Sequence, residues 1–216
     1  MALTKIGTDS IKDNAVTSAK IPANAVTQSE VNFPVANRNL IINGAMQVAQ
    51  RGTSATGVAA NTYATVDRFH ALQSGTDEYI EQHQVDVASG TTPYTLGFRK
   101  AFQVKNGNQS NGAGSGDYIT MQYKIEAQDI ANSGWNYIDT NSFVTLTFWV
   151  KSSIAQNFYG YLKTVDGTAQ LLPFETGSLT QNQWTKVTKT ISGNSNLQFD
   201  NNNDIGLELY ISQYWG

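Results

Sequence analysis

The chain has 216 residues, of which 14% are charged, a formal net charge of −3 and no cysteine. That length makes one domain, or one domain with an appendage, and the missing cysteines exclude disulfides and thiolate metal sites. Scarce and scattered Lys and Arg argue against a nucleic-acid partner. No apolar run approaches the ~18 residues of a membrane span, so membrane insertion is not expected.

The first 36 residues carry β-branched side chains at a spacing of five. The series consists of Ile6, Ile11, Val16, Ile21, Val26 and Val31. A step of five turns ~500° on a helix and alternates faces on a strand, so neither element collects the series on one side. Burial within one thin segment would not offset the entropy cost of ordering it. Residues 1–36 are therefore predicted to form an extended stalk or attachment arm that needs sister chains or a docking partner, with a disordered tail as the alternative.

Two copies of a ten-residue unit, residues 12–21 and 22–31, each contain Asn-Ala-Val-Thr. These repeats resemble those near the N-termini of bacteriophage tail-fibre and other virion-appendage proteins. The resemblance implies a homotrimer along residues 3–35, or a segment that attaches a fibre to the particle.

The chain changes character between Arg38 and Gly52. Leu40 to Ile42 reads as a short strand, Asn43-Gly44 as a turn that accepts positive φ, and Ala45 to Gln50 as a second strand. We interpret this stretch as the boundary between the arm and a head of residues 37–216.

Alternating apolar and polar residues dominate the head. The clearest runs are 118–126, 143–151 and 205–211, and further candidate strands are 67–73, 78–87, 98–104, 158–164 and 184–191. Turn-rich separators divide these runs, and no long segment repeats at helical spacing. The pattern predicts a mainly β head, an antiparallel two-sheet β-sandwich of the jelly-roll type. The predicted core comprises Ile119, Met121, Leu146, Phe148, Val150, Leu207 and Leu209.

Four motifs of the head resemble a jelly-roll domain common in phage tail fibres, which is similar to the sandwich of carbohydrate-binding modules. They are residues 37–52, 66–69, 144–152 and 184–191. In that family the chain usually runs on through at least one further strand, whereas here the sequence stops at Gly216, directly out of a predicted strand. A head lacking its C-terminal strand would expose an unpaired edge.

Catalytic residue patterns are sparse. His70 and His83 lie on predicted strands without a nucleophile motif, and the acidic cluster of Asp77, Glu78 and Glu81 is typical of a solvated turn. The chain is therefore predicted not to be an enzyme and to need no cofactor.

One stretch offers oxygen ligands at alternating positions, as a calcium loop does: Asp200, Asn202 and Asp204. Ile205 stands where an EF-hand loop needs glycine, and no glutamate lies at the twelfth position. An Asn-rich turn without metal is the favoured interpretation, and a structural calcium is the alternative.

Aromatic side chains that stack on sugar rings are the candidates for glycan binding. Trp135 and Tyr137 lie in a polar loop, and Tyr159 and Tyr161 share a strand face away from the apolar residues of that strand. Packing in the core is the competing interpretation for the loop pair.

These observations favour a virion structural protein, a phage tail fibre or appendage made in the host cytoplasm. Its arm would attach to other virion proteins of the tail, baseplate or capsid, and its head would contact host surface polysaccharide. The alternative is a capsid decoration or cement protein without glycan binding, and a third hypothesis is a carbohydrate-active enzyme module.

Overall fold

The structure, a computed structural model, describes residues 39–59, 61–106 and 114–216, so the predicted arm lies outside the described residues. Within these ranges the chain forms ten strands and two short helices. The strands are β1 (Ser54–Val58), β2 (Phe69–Ser74), β3 (Ile80–Asp86), β4 (Lys100–Lys105), β5 (Tyr118–Glu126), β6 (Phe143–Val150), β7 (Asn157–Thr164), β8 (Leu171–Ser178), β9 (Thr185–Ser192) and β10 (Ile205–Trp215). The helices are α1 (Thr92–Thr95) and α2 (Ala127–Ala131). The prediction of a mainly β chain is confirmed for the described residues.

The strands form three antiparallel sheets. A five-stranded sheet has the order β2-β5-β10-β7-β8, a three-stranded sheet the order β1-β3-β4, and β6 pairs with β9. The last strand, β10, lies between β5 and β7, so it is paired on both sides. The edges of the five-stranded sheet are β2 and β8.

One face of the five-stranded sheet is apolar and carries the core. Ile119, Leu207 and Leu209 are buried there, as their alternation predicted, and Met121 and Leu146 are partly buried against the cluster that contains the two leucines. Val150 is half-buried.

Side chains of both smaller sheets reach this face. The ring of Phe102 on β4 lies 6.1 Å from that of Phe69, and the ring of Phe148 on β6 lies 6.2 Å from that of Phe174 on β8. Gly160 makes room for Phe174, because a Cβ at this position would lie 2.5 Å from its ring. The jelly-roll order of connections remains a prediction.

The segment before β1 differs from the predicted hairpin. Asn43, at φ 58°, forms a turn in which the Met46 amide donates to its carbonyl at 2.8 Å, and residues 39–53 contain no strand. The Asn43 side chain supplies the missing bonds, since its amide donates to the carbonyls of Val48 (2.9 Å) and Asp67 (3.0 Å). The Ile42 amide donates to Tyr123 Oη at 2.7 Å, which fixes this segment to the sheet. A side-chain hydrogen-bond network therefore replaces a strand ladder.

Candidate functional site

The second face of the five-stranded sheet, called the polar face below, is also buried at its centre. Strand pairing sets Tyr210 of β10 between Gln122 and Tyr161, and Glu208 between Lys124 and Lys163. The polar face comprises His70, Thr120, Gln122, Lys124, Tyr159, Tyr161, Lys163, Glu208, Tyr210 and Ser212. Alternation along the strands assigns these positions to solvent, yet most of those on the central strands are buried.

A hydrogen-bond network surrounds Glu208, which is 7% exposed. Tyr210 Oη donates to one carboxylate oxygen at 2.9 Å, and the Gln122 amide donates to the other at 3.0 Å. Lys163 Nζ lies 3.5 Å from Glu208 and balances its charge. Burial, followed by the hydrogen bond to Glu208, raises the pKa of Tyr210, so its hydroxyl stays protonated and remains a donor.

Tyrosine rings extend this network to the surface. Tyr161 stacks on Tyr210 with ring centroids 4.5 Å apart and an interplanar angle of 19°. Tyr159, two residues earlier on the same face of β7, is 64% exposed. Its cross-strand neighbour Glu175 accepts from the Asn157 amide at 2.7 Å. An exposed ring beside fixed polar groups is the arrangement that binds the apolar face and hydroxyls of a sugar.

The opposite end of the polar face contains His70, which is fully buried. Burial and the charge of Lys124 lower the pKa of His70 to about 4, so the imidazole is neutral at physiological pH. Its ring lies 4.1 Å from that of Tyr63, and Nε2 lies 3.1 Å from Asn61 Oδ1.

His83 is remote from the polar face, on β3 of the three-stranded sheet. Its Nε2 lies 2.8 Å from Glu81, which also lies 3.2 Å from Lys105. Hydrogen bonds from these two partners lower the pKa of Glu81. Asp77 and Glu78 line a shallow surface pocket with Glu81, apart from the polar face.

The structure separates the four predicted glycan-binding residues into two pairs. Tyr159 and Tyr161 lie together on the polar face, whereas Trp135 is 8% exposed and belongs to the core cluster. The Trp135 ring lies 6.3 Å from that of Phe199, and Tyr137 lies 4.9 Å from the same ring. Both side chains of the loop pair therefore pack on the core. The large apolar surface of the indole favours this burial. At 8% exposure, Trp135 offers little ring surface to a ligand.

The predicted calcium ligands lie in a turn held by hydrogen bonds. Asn202 Oδ1 accepts from the Asp204 amide at 3.0 Å, and the Asp200 amide donates to Asp166 at 2.9 Å. The Ala127 and Gln128 amides of α2 donate to carbonyls of this turn at 2.9 Å. Across the described ranges, no three His, Cys, Asp or Glu side chains gather to hold a metal ion. No helix in those ranges has the length and hydropathy needed to cross a membrane.

Comparison with protein-family models and with curated proteins gives no match. Among solved structures, the chain resembles the crystal structure described as "Bacteriophage CBA120 tailspike protein 4 enzymatically active domain". The identity is 12% and the TM-score 0.45, and the match covers 81% of this chain and 19% of that one. The chain thus spans about a fifth of that structure, and the likeness is one of β-rich fold.

This finding contradicts one sequence-based prediction. The matched domain is described as enzymatically active, so the prediction that the chain is not an enzyme is withdrawn. The activity in that description belongs to the tailspike domain.

Proposed function

We propose that this chain is part of a bacteriophage virion appendage of the tail, and that its head contacts host surface glycan through the polar face. The repeats of residues 12–31 and the four head motifs support the first part. The second part is carried by one observation: Tyr159 exposes 64% of its surface beside the Tyr161–Tyr210 stack.

Rigidity of the surrounding groups favours binding at this position. Glu208 accepts from Tyr210 and Gln122, and its charge is balanced by Lys163. These contacts hold the polar groups in place before a ligand arrives, which lowers the entropy cost of binding. The free ring of Tyr159 then provides the apolar contact to a sugar, and Glu175 provides a carboxylate acceptor across the strand pair.

The arm, residues 1–36, is proposed to attach the head to other virion proteins and to assemble as a homotrimer. Three linked heads would convert weak single-site binding into firm adhesion through effective concentration. Native mass measurement of the full chain is expected to give a trimer. A monomer that still joins the particle would instead indicate docking of single chains.

Adhesion of the full chain to host cells tests the role of Tyr159. The change Tyr159→Ala is expected to weaken binding about five- to tenfold per site, the value of one aromatic contact. Tyr79→Ala is the matched control, because Tyr79 is 63% exposed but lies directly before β3, away from the polar face. Assaying the recovered polysaccharide for new reducing ends separates binding from cleavage.

Equal adhesion of wild type and Tyr159→Ala would contradict the proposal. Binding to purified capsids, with none to host glycan, would favour the decoration alternative.

A further inference from the structure

A groove lies at the end of the polar face where β2 begins. Three cations line it, Arg51, Arg68 and Lys124, together with one carboxylate, Asp67, and the ring of Tyr63. These side chains come from the segment before β1, from the approach to β2 and from the middle of the sheet. The excess of cations favours an anion in this groove.

The backbone around the groove adopts a conformation that side chains rarely take. Arg68 has φ 75° and Asn43 has φ 58°. For arginine this conformation is unusual, and such outliers cluster at ligand-binding sites. The two motifs that carry the head's resemblance, residues 37–52 and 66–69, meet here, since the Asn43 amide donates to the Asp67 carbonyl at 3.0 Å.

The cations are unequally neutralised. Arg51 lies 3.3 Å from Asp67, which also accepts from the Gln50 amide at 3.2 Å. Arg68 lies at 3.8 Å from Glu126 and is 40% exposed.

Lys124 has no ion pair or hydrogen bond of its side chain within the part of the chain that the structure describes. The carboxylate beside it, Glu208, is already occupied by Tyr210, Gln122 and Lys163. The positive charge of Lys124 disfavours protonation of His70 and so helps to lower the pKa of His70. Lys124, together with Arg68, whose contact with Glu126 is long at 3.8 Å, can therefore hold one anion between them.

We propose that this groove binds the carboxylate of an acidic sugar unit in the glycan that contacts Tyr159. This inference rests on the proposed function and names its substrate class. Lys124 and Arg68 would pair with the carboxylate, and Tyr63, Asn43 and Gln50 would face the sugar ring and hydroxyls. Lys124 and Tyr159 lie about 10 Å apart across the strands and about 13 Å apart along them, the reach of a short oligosaccharide.

Acidic polysaccharides paired with their carboxyl-reduced forms test the proposal on the full chain. The probes are polygalacturonate, alginate, hyaluronate and polysialic acid, each immobilised at equal density. For the polymer that binds, the acidic form is expected to bind about tenfold more tightly than its reduced form in 0.05 M salt, and 0.5 M salt is expected to remove most of that difference.

Substitutions locate the effect. Lys124→Gln and Arg68→Gln are each expected to lose most of the preference for the acidic form while leaving the reduced form bound. Lys186→Gln is the matched control, because Lys186 is exposed on β9 of the two-stranded sheet. Thermal unfolding of each variant shows that the fold is kept, and the salt dependence of wild type tests the proposal if a variant does not fold.

The outcomes separate the two proposals. Equal binding of acidic and reduced forms, still dependent on Tyr159, would overturn the acidic-sugar assignment and leave glycan binding in place. Inorganic phosphate binding at the groove, with no preference for acidic polymers, would also overturn it, because the anion would then be phosphate. Binding to none of the polymers and none to host glycan would overturn the proposed function itself.

Discussion

On one face of the five-stranded sheet, Ile119, Leu207 and Leu209 are buried among apolar side chains. On the other, Gln122, Glu208 and Tyr210 are buried nearly as deeply among hydrogen-bonding groups. The apolar face depends on contacts that have no direction and tolerate changes that conserve volume. The polar face depends on directed pairs, so the loss of one partner leaves another group unsatisfied. The two faces are therefore expected to respond differently to substitution.

The largest expected effect is on the apolar side. Trp135→Ala removes a buried indole and should lower the free energy of unfolding by about 3–5 kcal/mol. Denaturant unfolding of the head measures this change, with Tyr79→Ala as an exposed aromatic control that should cost less than about 0.5 kcal/mol. A loss below about 1 kcal/mol for Trp135→Ala would place the indole outside the core and restore it as a candidate ligand contact.

The next effect concerns pH and the polar face. The unfolded chain protonates His70 near pH 6.5, whereas the folded chain does so only near pH 4. The folded state therefore loses stability as the pH falls through this window. The loss is about 1.4 kcal/mol per pH unit and reaches about 3 kcal/mol at pH 4.

Unfolding of wild type and His70→Gln between pH 7 and 4 isolates this contribution, because the carboxylates titrate in both proteins. The variant should show a smaller loss of stability across the window. Parallel curves would mean that His70 accepts its proton normally and that the buried end of the polar face is open to water.

A smaller effect is expected from the network at Glu208. Glu208→Ala removes the acceptor of the Tyr210 hydroxyl and one of the two acceptors of the Gln122 amide, and should cost about 1–3 kcal/mol. Glu208→Gln keeps an acceptor and should cost less. A double-mutant cycle with Tyr210→Phe should give a coupling of about 0.5–3 kcal/mol. Additive costs would show that the two side chains do not act as a pair.

Much of the strand pattern could be predicted from alternation. Residues 118–126 form β5 as predicted, because one face of that strand meets the core. β8 was missed, since Pro173 interrupts its pattern, and the structure places it at an edge where a missing amide is tolerated. The predicted hairpin at residues 40–50 was wrong because the Asn43 side chain, rather than a partner strand, takes up the local hydrogen bonds.

Less of the site could be predicted. Alternation placed Tyr159 and Tyr161 on one face, but it assigned Gln122 and Glu208 to solvent. Their burial follows from the insertion of β10 between β5 and β7, a long-range pairing that no local pattern encodes. The alternation of Glu208 and Tyr210 with the two leucines of β10 was the local sequence signal for these buried polar groups.

The smallest effect on stability is expected where the effect on binding is large. Tyr159→Ala should leave the unfolding free energy within about 0.5 kcal/mol of wild type, because the ring is mostly exposed. Isothermal titration of wild type, Tyr159→Ala and Tyr79→Ala with purified host surface polysaccharide therefore tests the polar face most directly. A five- to tenfold weaker affinity per site for Tyr159→Ala alone is the expected result. Equal affinity of all three proteins, or a loss confined to Tyr79→Ala, would contradict the assignment of glycan binding to the polar face.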